Sequence, residues 1–134
     1  KRGAGDVSNP NKTWPIDQVI SYKLESEYDV NFAEMIRNAF KFWTDNTCLT
    51  YEENGSTTPL IRIVKGSDCS SQVVSDCSMI YQLLMGAVNT TNVGTIVHEI
   101  AHSIGLGHTH MRDDRDAYVT INYNYMVSGQ EKNY

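Results

Sequence analysis

The chain has 134 residues, with 11 Lys+Arg against 16 Asp+Glu, a formal net charge of −5 and 40% hydrophobic residues. That length describes one globular domain able to bury roughly 70% of the surface its unfolded form exposes, so disulfide or metal staples are optional. The acidic balance excludes nucleic acid, whose affinity comes from Lys and Arg on phosphate, and the longest apolar stretch, Met79 to Val88, falls short of the roughly 20 residues of a membrane span.

Residues 1–13 are polar and rich in Gly and Asn, and read as an extended lead-in segment. No apolar region stands behind Lys1-Arg2, so no signal peptide is expected and the basic pair reads as a processing remnant. Trp14-Pro15 begins the ordered part. Val19 to Leu24 alternates apolar and polar residues as a half-buried strand does. Asn31 followed by Glu34 resembles a capping box, and behind it Phe32, Met35, Ile36, Ala39, Phe40 and Trp43 form one helical stripe, predicting a core helix that runs to about Asp45. Short strands follow at Leu49 to Tyr51, Leu60 to Val64 and Met79 to Met85, separated by Asn54-Gly55 and by a Gly/Ser/Asp/Cys-rich loop from Gly66 to Ser78. A second helical pattern starts at Asn92.

Asn11-Lys12-Thr13, Asn54-Gly55-Ser56, Asn89-Thr90-Thr91 and the weaker Asn46-Thr47-Cys48 are candidate glycan acceptors, which points to a secreted chain. Three cysteines leave one over if two pair. Cys69 and Cys77, separated by polar turn residues, are the natural pair, and Cys48 then needs a partner from outside this chain.

All four histidines fall between positions 98 and 110, three of them in the run from His98 to His108 that reads HExxHxxGxxH. At 3.6 residues per turn His98 and His102 lie one above the other and can both reach one metal ion. With His98 at zero and about 100° per residue, His102 lies near 40° and Glu99 near 100°, while Val93, Ile96, Val97, Ile100 and Ile104 fall between about 160° and 260°. The imidazoles are therefore expected to oppose the buried face. Gly105 suits the left-handed residue that ends a helix, after which the chain can turn and bring His108 back as a third nitrogen. Three neutral imidazoles with one open position make a catalytic zinc pattern, whereas structural zinc sites are closed by four ligands and rely heavily on Cys. Five fixed positions at about one in twenty each predict a chance match in well under one in 10⁴ chains, so the signal is specific.

The chemistry expected of that donor set is peptide-bond hydrolysis by a zinc-activated water, with Glu99 as general base. No Ser/His/Asp arrangement competes with it. His110 reads as a solvated loop residue. Asp113, Asp114 and Asp116, interleaved with Arg112 and Arg115, read as local salt bridges rather than a second metal site, and Tyr118, Tyr123 and Tyr125 as packing residues.

HExxHxxGxxH is the metzincin signature. Gly94-Thr95-Ile96-Val97-His98-Glu99 before it and Arg112-Asp113-Asp114-Arg115-Asp116-Ala117-Tyr118-Val119-Thr120-Ile121-Asn122-Tyr123 after it closely resemble the astacin family of secreted zinc endopeptidases. Looser similarity lies at Trp14-Pro15, Phe42-Trp43, Thr47-Cys48 and Ile61 to Gly66. The resemblance implies an α+β, zincin-like N-terminal subdomain: a twisted, mostly parallel five-stranded sheet with two long helices, the second carrying the zinc motif. It implies His98, His102 and His108 as ligands of one Zn2+, Glu99 as base, and a protein or peptide substrate laid along an edge strand, Met79 to Met85. It also implies a Met-containing turn and a lower subdomain beyond Tyr134, so that residues 1–134 are a single peptidase domain incomplete at its C-terminus. Thr109 stands where the family usually has a Glu that anchors the mature N-terminus. The alternative is a non-catalytic zinc-binding fragment. Oligomeric state and cleavage specificity are not written in these motifs.

Overall fold

In the computed structural model, residue 14 and residues 17–25, 28–66 and 92–129 are described with their side chains, and the strand segments 70–71 and 81–85 by their backbone. The order of elements is β1 (Ile20–Leu24), α1 (Val30–Asn46), β2 (Tyr51–Glu53), β3 (Leu60–Lys65), β4 (Ser70–Ser71), β5 (Tyr81–Met85) and α2 (Val93–Ser103). Three short 3₁₀ turns follow, at Thr109–Met111, Arg115–Ala117 and Tyr123–Tyr125.

The period-2 pattern of β1 turns Ile20 and Tyr22 toward the helices, and Ile61 and Ile63 of β3 continue the same apolar face. β1 pairs in parallel with β2 and with β3, so α1 is the crossover that carries the chain from β1 to β2. The strand order is β2-β1-β3-β5-β4, with β5 parallel to β3 and β4 antiparallel to β5. Tyr81–Met85 is thus an interior strand, and the segment expected at the sheet edge is replaced there by Ser70–Ser71. The cause is non-local: Ser70–Ser71 pairs antiparallel with β5, which neither strand's own pattern encodes.

Helix α1 begins one residue after Asp29, whose Oδ1 accepts from the Phe32 amide at 3.0 Å, so the cap is Asp29 and Asn31 is already helical. Of the predicted stripe Phe32, Ile36, Ala39 and Phe40 are buried and Met35 and Trp43 partly so, and Ala33, outside the stripe, is buried with them. Phe40 stacks on Tyr22 with ring centroids 3.9 Å apart and meets Tyr51 at 5.0 Å, which ties the helix to β1 and β2. β2 forms two residues later than its sequence pattern suggested. Beside it, Gly55 runs against buried Ser21 so closely that a Cβ would collide with the Ser21 hydroxyl.

Ile96 and Ile100 of α2 complete the core with Trp14. Trp43 on α1 donates its indole N–H to the Val97 carbonyl of α2 at 3.0 Å, so the two helices are joined by a directional bond as well as by packing. Cys69 and Cys77 lie outside the described residues, and Cys48 is exposed with a free thiol. No helix among the described residues is long and apolar enough to cross a membrane.

Candidate metal centre

α2 starts at Asn92, whose Oδ1 accepts from the Thr95 amide at 3.0 Å. Its other end decides where the third imidazole goes. The Leu106 amide bonds the Ala101 carbonyl and the Gly105 amide the His102 carbonyl, both at 2.9 Å, with Gly105 at φ 93°, a backbone turn that glycine adopts without steric cost. The Ile104 amide takes Ile100. Ser103, the last helical residue, has no later amide, and Trp14 supplies the missing donor, its indole N–H meeting the Ser103 carbonyl at 2.9 Å. The turn so closed brings His108 back beneath the helix.

The result is a triangle of imidazole nitrogens. His98 Nε2 and His102 Nε2 are 3.1 Å apart, His102 Nε2 and His108 Nε2 3.1 Å, and His108 Nε2 and His98 Nε2 3.3 Å. Ligands at about 2.05 Å from a tetrahedral zinc are separated by about 3.3 Å, so the triangle has the size of one face of such a site. His102 Nδ1 donates to the Leu106 carbonyl at 2.7 Å, which puts its proton on Nδ1 and leaves the Nε2 lone pair pointing at the other two. Among the described residues no other group of three or more His, Cys, Asp or Glu side chains could share an ion. The residues therefore fit zinc, the cofactor of this kind of site.

Burial around α2 differs from the wheel reading. Ile96 and Ile100 are fully buried as expected, but Glu99 and His102 are each only 7% exposed and Ser103 is fully buried, so of the two helix imidazoles His98 alone opens outward. The chain folding back after Gly105 covers His102, and Trp14 bonds the end of the helix; both are tertiary effects that a wheel cannot contain. His108 is held below the usual imidazole range, first by desolvation and then by the neighbouring His102, His98 and His110, which favours the neutral, ligating form.

Beyond the triad, Arg112 grips Asp114 through two bonds of 2.7 Å and Arg115 meets Asp116 at 3.3 Å, so these charges order the turn as expected. Asp114 is thereby engaged as an exposed ion partner, and the Arg112 guanidinium holds its carboxyl below the usual carboxylate range. Tyr118, Tyr123 and Tyr125 are 79%, 57% and 88% exposed, so among the described residues they are surface groups and not packing residues. Of the three, Tyr118 lines a cavity of about 740 Å³, together with Thr109, His110, Arg112, Asp114, Arg115 and Val119. Sequence reasoning missed three supports of the centre: the Leu106 carbonyl, Trp14 and Trp43. A backbone acceptor has no residue signature, and the two tryptophans stand 89 and 54 positions from the carbonyls they bond.

A two-helix α+β unit whose second helix and following turn gather three imidazoles defines a zincin-type metal-binding domain. The family model of Astacin, a family of peptidases, matches residues 6–134, and the chain belongs to that family. It is 35% identical over 136 residues to Zinc metalloproteinase nas-32 of Caenorhabditis elegans, covering 100% of this chain and 20% of that protein. Meprin A subunit beta of Homo sapiens is 35% identical over 121 residues, 90% of this chain and 17% of that protein. Among solved structures, High choriolytic enzyme 1, a hatching enzyme zinc-protease from Oryzias latipes, superposes with a TM-score of 0.76 at 27% identity, covering 86% of this chain and 57% of that one. The chain spans about a fifth of the length of the curated relatives it matches.

Proposed function

We propose that the chain is the zinc-holding part of a secreted endopeptidase that hydrolyses peptide bonds of protein substrates. His98, His102 and His108 are the ligands and Glu99 is the general base. The observation that carries this reading is the triangle of Nε2 atoms at 3.1–3.3 Å beside a helix residue bearing a carboxylate. Family membership, relatives named as zinc metalloproteinases and the candidate glycan acceptors support it.

Zinc, when bound, supplies Lewis acidity that polarises a carbonyl and brings the pKa of water from 15.7 to about 7. The protein does the rest. The Leu106 carbonyl fixes the tautomer of His102, and the turn at Gly105 sets His108 against the helix pair. Glu99 follows His98 directly, takes a proton from the attacking water and returns it to the departing amine. No covalent bond to the protein is formed, and the proton ends on the leaving group.

The test compares the zinc-loaded chain with Glu99→Gln on a quenched fluorescent peptide library, with and without a chelator. A general base contributes about 10²–10⁴-fold, so the variant should lose at least two orders of magnitude while retaining one zinc per chain. Equal background rates in the two proteins, unchanged by the chelator, would leave the alternative, a metal-holding unit without catalysis.

A further inference from the structure

The three ligands are not held equally. His98 and His102 stand on α2, where the preceding turn restricts their rotamers, and His102 is further fixed by the Leu106 carbonyl. His108 lies past the helix on extended backbone at φ −65° and ψ 124°, and it is exposed. Among the described residues its ring nitrogens reach no hydrogen-bond partner other than the two imidazoles of the triad.

The His108 ring meets His98 at 5.3 Å and His102 at 4.6 Å within the triad, and from outside the triad it meets His110. Their centroids are 5.2 Å apart and their planes within 18°, the range of an offset aromatic stack. His110 is anchored in turn. It sits in the 3₁₀ turn Thr109–Met111, closed by the Met111 amide on the His108 carbonyl at 3.0 Å. Arg115 Nη1 donates to the His110 carbonyl at 3.3 Å, and the same guanidinium reaches to 3.5 Å from the Tyr123 hydroxyl. The Arg115 side chain is only 18% exposed, so the anchor is itself held.

We propose that His110 is a positioning residue of the metal centre: its ring stacks on His108 and sets the plane of that imidazole, which aims Nε2 at the other two nitrogens. The proposal rests on the zinc reading above. His110 is not a fourth ligand: among the described residues the group whose ligand atoms all lie within 4.8 Å of one another is His98, His102 and His108, without His110. It replaces, for His108, what the Leu106 carbonyl does for His102. A hydrogen bond fixes one ring and a stack fixes the other.

The experiment follows metal, not turnover. The full chain is loaded with Zn2+ and its release to a colorimetric chelator is timed, and in parallel the visible bands of the Co2+-loaded chain are recorded. His110→Phe keeps a flat ring and should release zinc within about twofold of the unsubstituted chain, with unchanged cobalt bands. His110→Leu keeps apolar bulk without a ring face, and His110→Ala keeps neither; both should release zinc about three- to tenfold faster, with shifted bands. His110→Leu retaining the metal as well as the unsubstituted chain would overturn the proposal, since bulk alone would then suffice. So would His110→Phe releasing it as fast as His110→Ala, which would make the nitrogens, not the face, the active feature. Failure of the zinc reading itself looks different: the unsubstituted chain would take up no metal, or His98→Ala would bind as tightly.

Discussion

Trp14→Phe isolates the support at the end of the metal helix. The substitution deletes the indole N–H that meets the Ser103 carbonyl at 2.9 Å and leaves an aromatic ring in the same buried position. Ser103 closes the helix, so its carbonyl has no intrahelical donor to return to. Leaving a buried carbonyl unsatisfied costs about 1–3 kcal/mol. The smaller ring also leaves roughly 40 Å³ empty, about 1 kcal/mol at ~24 cal/mol per Å³. The expected loss is about 2–4 kcal/mol, which at a urea slope of about 2 kcal/mol/M moves the unfolding midpoint down by about 1–2 M. Trp43→Phe is the matched control. Its indole bonds the Val97 carbonyl at 3.0 Å, but Val97 lies inside α2, where that oxygen also takes the amide four residues on. The control should therefore lose less, about 1–2 kcal/mol with the same change of ring size. Equal midpoint shifts for the two variants would refute the argument that an orphaned helix-end carbonyl makes Trp14 special.

Two further outcomes follow from the same structure. Gly105→Ala places a Cβ on backbone at φ 93° and should cost about 1–2 kcal/mol, measured by thermal or urea unfolding; because the strained turn carries His108, zinc affinity should fall in the same variant, and an unchanged affinity would separate the turn from the site. Tyr22 donates to Glu53 at 3.3 Å, and its phenol is pushed up to about 12 by burial and then by the Glu53 charge. The folded state thus favours the neutral phenol. That stabilisation is complete below the ordinary value of 10.0 and is lost as pH rises toward about 12, while the unfolded chain ionises first. Burial raises Tyr51 in the same direction, so Tyr22→Phe should flatten the alkaline decline of stability without removing it. An identical slope in urea titrations from about pH 9 to about pH 11.5 would contradict the assignment.

The division between what the sequence discloses and what it withholds follows contact range. His98, His102, Gly105 and His108 were legible because helix periodicity and one glycine turn are local, and the folded chain gathers those three imidazoles as the spacing implied. The stripe from Phe32 to Phe40 was legible for the same reason. Helix starts were less so: Asp29 and Asn31 are both good caps, and which one serves depends on where the chain leaves β1. Strand order was not legible, since the pattern of Tyr81–Met85 describes a strand without saying whether another pairs beyond it. The exposure of Tyr118, Tyr123 and Tyr125 belongs to the same class, because an aromatic residue is buried only if some other segment covers it.

Three of the five residues that the motif names are the imidazoles that could share a cation; the parts it omits are contacts that hold those imidazoles together. A free imidazole turns about its bonds, so three of them within 3.3 Å of one another form a state that entropy and lone-pair repulsion both oppose. Here the opposition is met by contacts spread across the fold. Asn92 starts the helix, Trp43 ties its middle to α1, Trp14 satisfies its last carbonyl, and Leu106 returns an acceptor to His102. A motif transplanted without them would hold the same ligands in the wrong directions. That is the physical reason a pattern of five fixed letters identifies the chemistry while the remaining residues determine whether the site has the geometry to carry it out.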